Sequence, residues 1–278
     1  MWKHKLCLGT SLQFPLTHEE QIRTFKEIGF DGFFTGWREG APIADFAKLG
    51  RELGITYQSI HAPFGEVNHV WLEGPKGDEV IEELKECLKD CADNEVGIMV
   101  AHAFIGFKDH TPTQIGVDRF GALVKFAEQL GVRIGFENTE GEEYLGALLT
   151  AFKNEKAAGF CWDTGHEMCY NHSKDMTALY GDKLICTHLN DNLGIRDFDG
   201  EITWVDDLHL LPFDGIADWD SIAARLDRHN YTDFMTFELN TKSKPDRHEN
   251  DIYDQMDIKL YFTEVYKRAC RVAAKRKI

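Results

Sequence analysis

The sequence predicts a single-domain (β/α)8 TIM barrel over residues 1–278. Three observations carry that prediction. Short apolar runs alternate with helix-like segments about eight times, which argues for a parallel sheet with helical crossovers. Eight such units suit a closed barrel better than an open doubly wound sheet. No GxGxxG follows the first apolar run, so the fingerprint of a dinucleotide-binding sheet is missing.

The runs that read as buried strands are KLCLGTSL, GFDGFFTGW, GITYQSIHAPF, GIMVAHAF, RIGFENTEG, GFCWDTGH, LICTHLND and DFMTFELN. Helices are expected between them at residues 17–28, 43–53, 78–94, 113–130, 142–152, 175–180 and 218–228, with a long one from about 249. Helical spacing is plain in FAKLGRELG and FGALVKFAEQLG, and a glycine closes each. Two connections, 65–77 and 192–217, are long for a compact domain, and loops of this length are usually lids or binding loops.

Composition narrows the function. Hydrophobic residues make up 43% and charged residues 28%, ordinary globular values that exclude disorder. MWKHKLCLGTSLQF has few apolar residues after its charges, so no signal peptide is expected, and no run approaches membrane-spanning length. Seven scattered cysteines read as reduced thiols of a cytoplasmic protein. Cys87 and Cys91 sit one helical turn apart, but no second pair completes a metal site. A net charge of -16 repels phosphate backbones and anionic membranes, so neither nucleic acid nor membrane is an expected partner. The one dense basic run, KRACRVAAKRKI, reads as the last turns of a terminal helix.

In a barrel the chemistry gathers where the strands finish. The expected strand ends are His61 after ITYQSI, His102 after IMVA, Glu137 after RIGF, Asp163 after GFCW, His188 after LICT and Glu238 after DFMTF. His166 follows Asp163 by three residues, and Asp207 with His209 forms an Asp-x-His pair in the second long loop. Taken alone, a histidine at a strand end is more often a structural group, and Glu137 reads equally well as a salt-bridge partner. Together they do not. Several charges facing one another at the ends of buried strands cost several kcal/mol each unless paired or bound to an ion. A divalent cation is the simplest neutraliser. Mixed imidazole and carboxylate ligands suit zinc, manganese, cobalt or iron, with magnesium at a site richer in carboxylate.

GFENTEG, WDTGH, THLNDN, DLHLLPFDG and the final FEL together resemble the xylose isomerase-like barrel superfamily, which holds sugar isomerases and epimerases and the endonuclease IV family. The resemblance runs over nearly the whole chain in order and spacing. In the ketose epimerase branch it implies one divalent metal held by Glu137, Asp163, His188 and Glu238, with Glu137 and Glu238 also the catalytic acid/base pair and His166 contacting substrate. In the endonuclease IV branch it implies a three-zinc cluster that adds His61, His102, His166, Asp207 and His209. One to three cations of manganese, zinc, cobalt or magnesium per chain are thus expected.

Acidic loops poor in Lys and Arg, HAPFGEVNHVWLEGPKGDE and DNLGIRDFDGEITWVDD, favour sugars over a nucleic-acid duplex. Aromatic residues expected near the mouth, Trp37, Phe64, Phe104, Phe107 and Trp204, suit the apolar face of a sugar, although each also serves as ordinary packing. The expected substrate contacts are His61, His102, His166, Trp37, Phe64 and Arg196. Arg196 stands in, from a shifted position, for the arginine that epimerases place after the metal histidine. The expected activity is metal-assisted isomerisation or epimerisation of a sugar, keto-sugar or sugar phosphate by proton transfer next to a carbonyl. A multi-zinc phosphoesterase and an inositol-type dehydratase are the alternatives. The expected partner is a small-molecule carbohydrate, and a homo-oligomer is compatible with this reading.

Overall fold

In the computed structural model, which describes residues 4–108, 111–195 and 201–277, eight parallel strands make one sheet. They are β1 (Leu6–Gly9), β2 (Gly32–Gly36), β3 (Thr56–His61), β4 (Ile98–His102), β5 (Arg133–Glu137), β6 (Ala158–Asp163), β7 (Leu184–His188) and β8 (Met235–Phe237). Strands β1 to β7 pair in sequence order, and β1 also pairs with β8. A parallel bridge between Leu189 and Phe237 joins the two remaining edges, with the Leu189 N–H donating to the Thr236 carbonyl at 2.7 Å. The barrel is closed there by one bridge and its flanking bonds rather than by a full ladder.

Helices cover the outside: α1 (His18–Ile28), α2 (Ile43–Leu53), α3 (Pro75–Asp93), α4 (Gln114–Leu130), α5 (Glu142–Ala151), α6 (Thr164–Cys169), α7 (Met176–Tyr180), α8 (Trp219–Arg228), α9 (Asp251–Asp254) and α10 (Ile258–Ala273). Thr17 and Glu20 form a reciprocal capping box at the start of α1. Gly54 and Gly131 end α2 and α4 in the left-handed region (φ +64° and +71°), which glycine enters without a Cβ clash. No helix among the described residues is long and apolar enough to cross a membrane.

Three expectations change in detail. The stretch 65–77 is largely ordered locally: Val67–Trp71 is a 3-10 turn, and α3 starts at Pro75, where a missing N–H costs nothing. Directly after β6, α6 begins with the Asp163 carboxylate as its N-cap, accepting from the His166 N–H at 2.7 Å. The last long helix starts at Ile258 instead of near 249, because Asp257 caps it through the N–H groups of Lys259 and Leu260. Cys87 and Cys91 lie on the inner face of α3, packed in the core, and no third ligand joins them among the described residues.

Behind β6 a buried ion pair locks α6 to α8. Arg225 donates to both oxygens of Glu167, at 2.7 and 2.5 Å, and its guanidinium lies 4.3 Å from the Trp162 ring centre. The Trp162 indole N–H completes the cage at 2.9 Å from Glu167 Oε2. Replacing Arg225 by Ala strands a buried carboxylate and should lower the unfolding free energy by about 3–5 kcal/mol, read from urea denaturation. Adding Glu167→Gln should recover part of that loss, and a single-variant midpoint equal to the parent would show that the pair holds nothing together.

Candidate metal centre and barrel mouth

Six strand ends deliver their side chains to one mouth, as alternation along a strand requires of residues in matched register. His102 pairs with Glu137 across β4 and β5, and Asp163 with His188 across β6 and β7. His61 ends β3, and Glu238 stands one residue past β8. All are buried except Glu238, whose side chain keeps 31% of its exposure.

One ligand atom from each of Glu137, Asp163, His188 and Glu238 lies within 4.8 Å of the others. His188 Nδ1 sits between the two glutamates, 2.8 Å from Glu137 Oε1 and 3.1 Å from Glu238 Oε2. Glu137 Oε2 faces the Nε2 atoms of His61 and His102, each at 3.2 Å. Across the mouth Asp207 stands 2.9 Å from His209 Nε2 and 3.6 Å from His166 Nε2. The nine side chains form three ligand groups, and Glu137 belongs to two of them.

Three imidazoles are oriented by the backbone. Nδ1 of His61, His166 and His209 meets the carbonyl oxygens of Ala62, Asn138 and Glu238 at 2.8, 3.0 and 3.1 Å. With Nδ1–H donated there, Nε2 is the nitrogen turned to the mouth, the arrangement that a carbonyl behind the ring imposes on metal-binding histidines. Asp163 is fixed just as firmly: its Oδ1 accepts from the His166 N–H and its Oδ2 from Asn190 Nδ2 at 2.9 Å, while Asn138 brackets its backbone on both sides.

Electrostatics follow from this crowding. Burial works to raise Glu137, but His188, His102 and His61 outweigh it and hold the carboxyl well below the usual range. Glu238 likewise resists burial and is drawn down to about 2 by His188 and His209. Asp163, with fewer close imidazoles, is pushed up to about 6 by burial. Burial is overcome at His209, raised to about 9 beside Asp207, and wins at His102, lowered to about 4. Without a cation, protonated imidazoles carry the positive charge that the carboxylates demand. The donor set fits a divalent ion: three carboxylates and Nδ1 of His188 converge within 4.8 Å, and beside them His61, His166 and His209 are held with Nε2 turned to the mouth.

The decisive comparison is with a family profile. Residues 22–257 match the profile of the xylose isomerase-like TIM barrel. The chain belongs to the xylose isomerase-like TIM barrel family. Among solved members of this fold, an IOLI protein with a bound zinc atom superposes with a TM-score of 0.77 at 20% identity, over 98% of this chain and 99% of that one. D-psicose 3-epimerase from Clostridium cellulolyticum H10, crystallised with D-tagatose, gives 0.73 at 15% identity over 99% and 100%. A xylose isomerase-like TIM barrel/4-hydroxyphenylpyruvate dioxygenase fusion protein gives 0.69 at 16% identity, and the match covers 91% of this chain but only 41% of that one. By sequence, 102 residues are 35% identical to the uncharacterised protein y4fM of Sinorhizobium fredii (strain NBRC 101917 / NGR234), covering 36% of this chain and 30% of that protein.

Of the substrate contacts expected from sequence, His61, His102, His166 and Phe64 line the mouth. Phe64 stacks on His102 with ring centres 4.3 Å apart. Trp37 lines an adjoining cavity. Arg196 lies outside the described residues. Phe104 is not at the mouth: it is buried and stacks on Tyr144 at 4.1 Å, because its side chain turns to the core behind β4. Trp204 lines the rim, and Phe107 packs edge-on against Tyr170. Sequence reasoning missed Glu140, Tyr170 and Lys244. Tyr170 stacks on His166 at 4.9 Å, and Lys244 Nζ comes within 3.8 Å of Asp207 and 5.1 Å of the Trp204 ring. Glu140 and Lys244 lie in connections past the strand ends with no periodicity to mark them, whereas Tyr170 follows His166 by one helical turn at the close of α6.

Asp191 explains how Asp207 and His209 reach the mouth from a long loop. Its buried carboxylate accepts from the N–H groups of Asn192, Phe213 and Ala217 and from the Trp219 indole, at 2.8 to 2.9 Å. Its backbone pairs with Leu210 in both directions at 2.9 Å. This scaffold holds His209 at φ +48°, a conformation that needs outside support. Asp191→Ala should speed amide hydrogen exchange at Leu210, Phe213 and Ala217 by at least about tenfold while leaving α1 to α4 unchanged. Equal protection in the variant would show that the loop holds itself.

Proposed function

We propose that the protein is a divalent-metal-dependent isomerase or epimerase of a sugar, keto-sugar or sugar phosphate. One observation carries this reading: Glu137 and Glu238 both reach Nδ1 of His188, at 2.8 and 3.1 Å, so two carboxylates able to exchange protons converge within a group of metal-ligand types that also holds Asp163. Glu137, Asp163, His188 and Glu238 would hold the cation. When bound, it supplies Lewis-acid polarisation of a carbonyl oxygen, which acidifies the neighbouring C–H.

The protein's own groups do the rest. Both glutamates are held as weak bases, so proton removal depends on that acidification. Glu238 is the partly exposed member and faces incoming substrate, which suits it to take the α-proton; Glu137, enclosed by imidazoles, returns one from the other side. His166 and His102 stand where substrate hydroxyls would bind, and the Phe64 ring covers His102. Return of the proton to the same carbon gives epimerisation, and its delivery to the neighbouring carbon gives isomerisation.

A second reading is favoured by a specific observation. His61 and His102 with Glu137, and His166 with Asp207 and His209, form two further ligand groups around the same mouth. A multi-zinc phosphoesterase would use all three, with cations about 3.5–4 Å apart activating water. Elemental analysis of protein purified without chelators separates the readings: about one manganese, cobalt or magnesium per chain supports the isomerase, and two or three zinc ions support the phosphoesterase. Glu238→Gln should reduce proton exchange between sugar and solvent by roughly 10²–10⁴-fold. Exchange close to the parent rate in that variant would remove Glu238 from the acid/base pair.

A further inference from the structure

Two residues before Asp163 and His188 on the same strands stand Cys161 and Cys186, paired with each other across β6 and β7. Alternation puts both thiols on the face that carries Asp163 and His188, one layer deeper in the barrel. Both are fully buried, and Ile98, Val100 and Ile185 pack around them. On β5 the facing residue is Gly135, where a Cβ would stand 3.3 Å from the Cys161 Cβ and 3.7 Å from that of Cys186. At that position β5 sends no side chain against the thiols.

The pair meets one of the mouth's own residues from behind. One ligand atom from each of Cys161, Cys186 and His188 lies within 4.8 Å of the others. Nδ1 of His188 faces Glu137 and Glu238, whereas its Nε2 is buried with no hydrogen-bond partner among the described residues. Phe34 stacks on the ring at 4.8 Å between centres and 14° between planes, which holds it in that orientation. Buried polar atoms are nearly always partnered, because leaving one unpaired is costly. Two sulfur atoms beside this one point to what it pairs with.

We propose that Cys161, Cys186 and Nε2 of His188 form a second metal site, enclosed beneath the mouth, that holds a zinc ion. Thiolate and imidazole are the usual ligands of structural zinc, at about 2.3 Å and about 2.0–2.1 Å, and atoms this close together reach those distances by small shifts. Binding displaces both thiol protons and any proton on Nε2. Two thiolates then cancel the charge of the ion, which lets the set sit among apolar side chains. Gln58 is at hand as a fourth donor: its amide lies 3.5 Å from Cys186 Sγ and, turned about its last bond, offers its oxygen there and its NH2 to Ser59 Oγ. The ion anchors His188 from its core side. It takes no part in the reaction proposed above and does not depend on it.

Elemental analysis and zinc X-ray absorption test this on the whole protein, produced with zinc in the medium and then dialysed against EDTA. One zinc per chain should survive the chelator, because protein encloses it, whereas ions at the mouth are reached from solvent beside Glu238. Its absorption spectrum should show two sulfur neighbours at about 2.3 Å. Cys161→Ala and Cys186→Ala should each lose that ion, with circular dichroism to check their folding. Cys87→Ala, which breaks the other close pair of thiols, should keep both the ion and its sulfur neighbours. No zinc after dialysis, zinc with nitrogen and oxygen neighbours only, or zinc kept in a folded Cys161→Ala or Cys186→Ala would overturn the site. So would loss of the ion in Cys87→Ala, or a Cys161–Cys186 disulfide in the mass of the alkylated protein. Metal counted in Cys161→Ala before dialysis belongs to the mouth, so the isomerase and phosphoesterase readings are judged there separately.

Discussion

A carboxylate at the end of β5 sets the terms for everything around it. Glu137 is buried where its strand ends, and a negative charge in that position must be matched by positive charge close by. Four imidazoles, of His61, His102, His188 and His166, lie within 3.7 Å of its oxygens. Those imidazoles are in turn faced by Asp163, Asp207 and Glu238, so the mouth is a closed electrostatic system in which no member stands alone. A divalent cation bound there would concentrate the same positive charge on one atom and free the histidines to act as neutral ligands or hydrogen-bond donors.

Holding so many charged groups in place takes rigid support, and the barrel supplies it from below and behind. Parallel strands in register bring His102 beside Glu137 and Asp163 beside His188. Asn138 and Asn190, each one or two residues past a strand end, pin Asp163. On the outside, the Glu167–Arg225 pair ties α6 to α8 and so fixes the turn that carries His166. The long loop after β7 is the exception, since no strand positions it. There a single side chain, Asp191, gathers four donors and folds the loop back over the mouth.

Much of this was legible in the sequence because strands and chemistry coincide in a barrel. An apolar run ending in Glu137, Asp163 or His188 states both a buried strand and a group that resists burial, so the six strand ends could be read directly. Phe104 was misplaced for the opposite reason: beyond a strand end, alternation no longer says which way a side chain turns, and this one turns to Tyr144. Glu140 and Lys244 left no trace in spacing, since each lies in a connection past a strand end; Tyr170 follows His166 by one helical turn at the close of α6, and only the fold shows that this turn faces the mouth. The sequence by itself determined the strand count, the donor types and the order in which they meet, all properties of local pattern. Only the tertiary structure decided that Asp207 and His209 join His166, and that Glu238 stays partly open while Glu137 is enclosed. Those are consequences of loop closure and of which side chains exclude water, and neither is written in periodicity.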